Sequence, residues 1–118
     1  LINEEEIKNF LVKKGFTLLR LNDLKFIDQV HHFNKAEFII GLHGAGFANL
    51  SFCKTDTKVI EFRTDKTGRM YENIGKINNL KFSSIECKAL SHDYNKQTGH
   101  IKIPLNILEQ KMKELEKN

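Results

Sequence analysis

Cysteine, proline and long hydrophobic runs are all scarce in this chain. Of its 118 residues two are cysteine, Cys53 and Cys87. They lie neither at C-x-x-C spacing nor at zinc-finger distance from a histidine pair, so a structural zinc module is excluded and no metal is expected. Two lone thiols fit a reducing compartment better than a disulfide scaffold. No apolar run approaches the roughly 18 residues that would span a bilayer. The acidic, polar start does not read as a signal peptide. Dense basic runs with interleaved aromatics are absent too. Lysine and arginine number 19 against 15 acidic residues, a net charge of +4, but the lysines are scattered. No nucleic-acid partner is therefore expected, and the mild positive balance suits a phosphorylated small molecule instead. Repeats, low-complexity segments and internal linkers are missing. The length fits a single domain or one piece of a larger protein. Because the sequence opens on Leu1 rather than methionine, upstream residues are expected to have been trimmed.

What is present alternates between helix and strand signals. Asn3 followed by Glu6 has the spacing of a capping box. Ile7, Phe10, Leu11 and Lys14 then share a helical face, and Gly15 stops the helix. Phe16 to Arg20 reads as a short strand. Asn22 or Asp23 is placed to cap a second helix with Phe26, Ile27, Val30 and Phe33 on its apolar side. Phe38-Ile39-Ile40 reads as a buried strand, and Lys58 to Phe62 as the next. Arg69 to Asn79 reads as a helix with Met70, Ile74 and Ile77 on one side. Lys81 to Leu90 reads as a fourth strand, and Ser91 to Gly99 as a polar loop. Ile101-Lys102-Ile103 is a brief extended piece. The one proline, Pro104, suits the first turn of a final helix from about Leu105 to Glu116, striped by Leu105, Leu108, Met112 and Leu115. Strands separated by helices imply βαβ units: an α/β, Rossmann-like lobe of three layers with a parallel sheet of about four strands.

Three of the seven glycines fall within six residues, Gly41-Leu42-His43-Gly44-Ala45-Gly46. They interrupt the Phe38–Ile40 strand before a helix expected from Phe47. Such a break aims backbone N–H groups and a helix dipole at one spot, which suits an anion. His43 on this turn is the candidate for contacting a diphosphate or for acid–base work. Asn49, three residues after Gly46, has an amide for a ligand or for a neighbouring loop. Glu61 interrupts an apolar strand. It is either the solvent-facing residue of an alternating strand or, on a covered central strand, a carboxylate with a job, such as accepting from ribose hydroxyls. Arg63, Lys66 and Arg69 are candidates for holding phosphates or, more often, solvated loop charges. His31 and His32 lie mid-helix, one expected to face solvent and one to pack. His92 and His100 have no partner motif. The glycine order is not G-x-G-x-x-G, and no Walker lysine follows. The His-Gly turn has the look of a hydrolase oxyanion loop, but Ser51 lacks a G-x-S-x-G elbow.

Phe33 to Leu50, with Ala36-Glu37-Phe38-Ile39-Ile40-Gly41, His43-Gly44-Ala45-Gly46 and Asn49-Leu50, followed by Thr57-Lys58-Val59-Ile60-Glu61-Phe62, resembles the core of glycosyltransferase family 61. The family takes in capsular-polysaccharide-type bacterial enzymes and eukaryotic protein and xylan glycosyltransferases. The likeness is close over about 30 residues and specific in its His-Gly-Ala-Gly turn. It implies a GT-B architecture of two Rossmann-like lobes, of which this chain would be the C-terminal, donor-binding one. His43, Gly44, Ala45 and Gly46 would line the diphosphate of a nucleotide-sugar, a UDP-sugar foremost, with Asn49 and Glu61 close by. The implied chemistry is inverting transfer of a hexosyl or pentosyl group to a glycan or glycoconjugate acceptor, with no tightly bound metal. It would take place in the cytoplasm or at the cytoplasmic face of a membrane. Phe52 to Thr57 lacks the Pro-Gly of many relatives. The missing N-terminal lobe would supply acceptor contacts and the general base, so the fragment alone is expected to be inactive. The rival expectation is a non-catalytic nucleotide-binding or interaction module.

Overall fold

The computed structural model describes residues 1–64, 68–87 and 101–117. Helix α1 (Glu4–Lys13) carries Glu4, Glu5 and Glu6 in its first turn and Lys13 in its last, which suits the helix dipole. Ile7 and Leu11 are its buried face. Gly15, at φ +94°, ends it in the left-handed conformation that glycine adopts without strain. The capping box does not form. The Asn3 amide donates to Glu6 Oε1 at 3.3 Å and, more closely, to the Ile103 carbonyl at 2.7 Å, and its oxygen accepts from the Ile103 N–H at 3.1 Å. Ile2 N–H bonds the Ile101 carbonyl at 2.8 Å. The first residues are thus stitched to the extended stretch before α4, where Ile101 and Ile103 are buried.

Three strands form the sheet: β1 (Phe38–Leu42), β2 (Lys58–Thr64) and β3 (Lys81–Cys87), all parallel, in the order β1-β2-β3. The strand expected at Phe16–Arg20 does not pair. Phe16 meets Phe38 edge-on with ring centroids 5.5 Å apart, so the segment starts beside β1. Beyond it Leu18 and Leu19 stay half-exposed and no ladder joins them to the sheet. The strand expected over Lys81–Leu90 is β3 as far as Cys87; its residues 88–90, the loop expected over Ser91–Gly99, His92, His100 and Lys66 lie outside the described residues.

Both faces of the sheet are covered. Toward α1 and α4 (Leu105–Glu116) lie Ile60, Phe62 and Ile85, packed with Ile7, Leu11, Leu108 and Met112. Toward α2 (Phe26–Lys35), a 3₁₀-helix (Ala45–Phe52) and α3 (Met70–Ile77) lie Ile39, Val59 and Phe82, packed with Phe33, Phe47, Leu50 and Tyr71. The α4 stripe is as expected, with Pro104 immediately before the first turn.

The other helices differ from the expected pattern. Asn22 and Asp23 sit in a separate single turn, Leu21–Asp23, and Lys25 precedes α2 without capping it. On α2 only Phe33 is buried, while Phe26 and Ile27 face outward. His31 and His32 are both exposed. On α3 the inward residues are Tyr71, Gly75 and, as expected, the half-buried Ile74, whereas Met70 and Ile77 are exposed. A Cβ on Gly75 would lie 3.1 Å from the Phe82 side chain, so the glycine sets how closely α3 approaches β3. The helix after the glycine turn is 3₁₀ rather than α. Phe47 and Leu50, three residues apart, are both buried, and a three-residue turn stacks i on i+3.

The Asn3 clamp joins two ends of the chain by two hydrogen bonds, each worth about 0.5–1.5 kcal/mol net. Asn3→Ala is expected to lower unfolding free energy by about 1–3 kcal/mol in a urea titration. A shift below about 0.3 kcal/mol would show that the clamp contributes nothing.

Candidate functional site

The sheet's alternation decides which side chains converge. Gly41 of β1 is in register with Glu61 of β2. His43 follows β1 and keeps its backbone in the ladder, donating its N–H to the Phe62 carbonyl at 2.8 Å. Residues 39, 41 and 43 therefore share the face of residues 59, 61 and 63, the face toward α3 and the 3₁₀-helix. With no side chain at Gly41, the Phe47 ring lies close over the strand, 3.5 Å from where a Cβ would be.

Glu61 is completely buried on the central strand. Its Oε2 lies 2.7 Å from His43 Nδ1. An ionised carboxylate at this distance accepts from Nδ1–H, and Nε2 has no hydrogen-bond partner among the described residues. The His43 side chain is only 6 % exposed, and it is not among the residues that line the groove beside the turn. Tyr71 of α3 braces the ring, with centroids 4.9 Å apart, and touches Phe47 at 5.7 Å. On the far side, Arg63 is buried, its Nη1 3.6 Å from Glu61 Oε1 and its Nε 3.3 Å from Glu86 Oε2 of β3. Glu86 is half-exposed and in register with Arg63.

Burial pushes the Glu61 carboxyl above its ordinary value. The hydrogen bond and charge of His43 and the charge of Arg63 pull it back, while Glu72 adds to the rise. Burial, and then the charge of Glu61, raise the Tyr71 hydroxyl. Burial alone takes the Cys53 thiol up to about 11, which makes it a packing residue and a poor nucleophile at neutral pH. Burial and Glu86 raise the Cys87 thiol, and both thiols are free.

The glycine turn opens onto a groove of about 770 Å³ between β1 and the unpaired 16–21 segment. Leu18, Arg20, Leu21, Leu42, Gly44 and Gly46 line it, among others. Its size falls in the range of roughly 300–1,000 Å³ usual for ligand pockets. The N–H groups of Gly44 and Gly46 have no acceptor among the described residues. Gly44 has an extended backbone, and a Cβ there would meet nothing closer than the Leu42 carbonyl at 3.9 Å. A Cβ on Gly46 would run into the Leu21 side chain.

The structure thus joins His43 and Glu61 and sets Gly44 and Gly46 beside them. Asn49 is buried, and its amide donates to Gln29 Oε1 of α2 at 2.9 Å, a neighbouring element. Glu61 does not offer its carboxylate to solvent, so a ribose has no access to it in this arrangement. Arg63 is likewise buried against carboxylates rather than available to a phosphate, and Arg69 is exposed, 3.9 Å from Glu72. Two residues of the site are not evident from sequence pattern, Tyr71 and Glu86. Tyr71 sits one position from Met70, which helical periodicity puts on the buried face. Register with Arg63 across β2 and β3 is the signal that finds Glu86. Among the described residues no cluster of histidine, cysteine and carboxylates could hold a metal. No described helix is long and apolar enough to cross a membrane.

The family model described as Glycosyltransferase 61 matches residues 1–60, which includes the whole glycine turn and stops one residue short of Glu61. No curated protein and no solved structure matches the chain.

The Glu61 carboxyl gives a pH test. Its folded value is raised, so the folded state binds this proton more tightly than the unfolded chain. The stability it contributes is fully present below the ordinary value of 4.5 and is lost as pH rises through the folded value. Glutamine does not titrate. The unfolding free energy of the wild type relative to Glu61→Gln is therefore expected to fall as pH increases from 4.5. Urea midpoints at several pH values check this, and a difference that is flat or rises with pH would contradict it.

Proposed function

The chain belongs to glycosyltransferase family 61, and from that membership we propose that it is the nucleotide-sugar-binding, C-terminal lobe of a two-lobed, GT-B-type inverting enzyme. The enzyme acts in polysaccharide or glycoconjugate synthesis, transferring a hexosyl or pentosyl group to a glycan acceptor at the cytoplasmic face of a membrane or in the cytoplasm. The observation that carries the reading is the buried His43–Glu61 pair at the carboxyl end of a parallel strand, beside two glycine amides without acceptors. Open parallel sheets take their ligands outside the carboxyl ends of their strands.

In the transfer, an acceptor hydroxyl attacks the anomeric carbon as the bond from that carbon to the diphosphate oxygen breaks. The hydroxyl proton passes to a general base on the other lobe, and negative charge grows on the departing diphosphate. The N–H groups of Gly44 and Gly46 and the protonated Nε2 of His43 donate to that charge. Glu61 contributes through His43, holding the ring by its contact with Nδ1. The Gly44 backbone gives the diphosphate close approach, and Arg20 at the groove's edge adds positive charge. Asn49, through Gln29, ties the 3₁₀-helix to α2 behind the turn. Alone, this lobe binds a nucleotide weakly and does not turn over sugar.

The test is an NMR shift titration with UDP, GDP, CMP and AMP. Shifts confined to residues 43–49 and their groove neighbours, strongest with UDP, are expected. Gly44→Ala is the matching variant, because a methyl there meets only the Leu42 carbonyl, at an unstrained 3.9 Å. It is expected to keep the native spectrum and weaken nucleotide binding at least tenfold. Unchanged binding in Gly44→Ala, or shifts elsewhere in the molecule, would overturn the assignment of the turn.

A further inference from the structure

We infer that Arg63 is a positioning residue: acting through the Glu61 carboxylate, it decides which nitrogen of His43 carries the proton. The inference deepens the reading of the His43 turn given above and rests on it for its functional meaning. The geometry itself needs no ligand.

A carboxyl group beside Nδ1 can play two parts. Ionised, it is an acceptor only, so Nδ1 carries the hydrogen and Nε2 presents a lone pair or, in the imidazolium, a second N–H. Protonated, it donates its own O–H to Nδ1, and the hydrogen of the neutral ring moves to Nε2. The charge on Glu61 therefore sets the tautomer of His43. Nothing else near His43 competes, because Nδ1 has Glu61 as its only hydrogen-bond partner among the described residues, and Tyr71 meets the imidazole as a ring.

Burial drives Glu61 toward the neutral state, so some charge has to hold it ionised. The groups around it can be counted element by element. From the end of β1 comes His43 itself. From β3, the residue in register is Ser84, which is uncharged, with Glu86 two positions further on. From α3 come Tyr71 and Glu72, and both Glu72 and Glu86 are acids. From the 3₁₀-helix comes Phe47. The opposite face of the sheet meets the apolar residues of α1 and α4. Arg63 is thus the one permanent cation near Glu61 among the described residues, and it is 4 % exposed, so water screens it little. At 3.6 Å its Nη1 makes no hydrogen bond to Oε1, and both atoms are buried without a hydrogen-bond partner. Its influence on Glu61 is that of a charge rather than of a clamp. Glu86, on the strand edge, balances Arg63 on its other side at 3.3 Å.

The experiment reads protonation directly, with ¹⁵N-labelled histidine and ¹³C-labelled glutamate in the ligand-free protein at neutral pH. The wild type is expected to show an ionised Glu61 and an Nδ1–H histidine at position 43. Arg63→Met is expected to convert most of His43 to the Nε2–H tautomer with Glu61 protonated, and Arg63→Lys, which keeps a charge, to restore the wild-type pattern. If Arg63→Met does not fold, the double variant Arg63→Met/Glu86→Gln removes the acid that Arg63 also neutralises, and it must show the same switch. A protonated Glu61 in the wild type, or a folded variant without Arg63 that keeps Nδ1–H, would overturn the inference. A nucleotide titration that fails while the tautomer responds would leave the charge chain standing and remove only the donor-site reading.

Discussion

A carboxyl group with no exposed surface, in the middle strand of a parallel sheet covered on both faces, is the constraint around which this fold is arranged. An isolated ion there would cost several kcal/mol, and a buried pair that loses one partner typically costs 3–5 kcal/mol. Glu61 is tolerated because β1 ends where it does. Gly41, in register, leaves space, and His43 two residues later returns to the same face with Nδ1 at 2.7 Å. Arg63 lies on the same side two residues further along β2, and Glu86 answers it from β3. The pairing thus runs across all three strands and ends at the surface.

That pairing explains the turn. Held by the backbone bond to Phe62 and by the ring bond to Glu61, His43 has no freedom to swing out with the loop. Tyr71 and Phe47 close over the ring from α3 and the 3₁₀-helix. On the proposed reading this is a preorganised anion site, in which the donors are fixed before charge arrives. The hydrophobic contacts on the other face, from α1 and α4, do no chemistry, but they keep β2 buried enough for the charges to interact strongly.

Much of this is legible in the sequence, and the gaps have physical causes. The order of elements, the β1 and β2 strands and α4 from Leu105 to Glu116 follow from apolar runs and from Pro104, where local pattern and tertiary burial agree. The His43 turn stands out because three glycines within six residues break a strand and let a ligand come close to the backbone. Phe16–Arg20 has strand character without being a strand, because a strand is completed by a neighbour and this segment stands off β1 across a groove. Periodicity places Phe33 on α2 and Ile74 on α3 correctly but misassigns Phe26, Ile27, Met70 and Ile77, because it names a stripe of large apolar residues, whereas Gly75 and Tyr71 are buried by fit against Phe82 and His43. Glu61 admits two readings from sequence, solvent-facing or buried with a purpose. Only the register with Gly41 and the cover from α3 decide for the second, and they replace a direct ribose contact with a bond to histidine.

The central question is whether the diphosphate meets the edge of a histidine held by a buried carboxylate. The most direct measurement is a crystal structure of the protein with bound UDP. The predicted result puts diphosphate oxygens within hydrogen-bond distance of His43 Nε2 and of the Gly44 and Gly46 amides, with the His43–Glu61 bond intact. A diphosphate bound away from this turn, or a His43 that has left Glu61 to reach it, would contradict that arrangement.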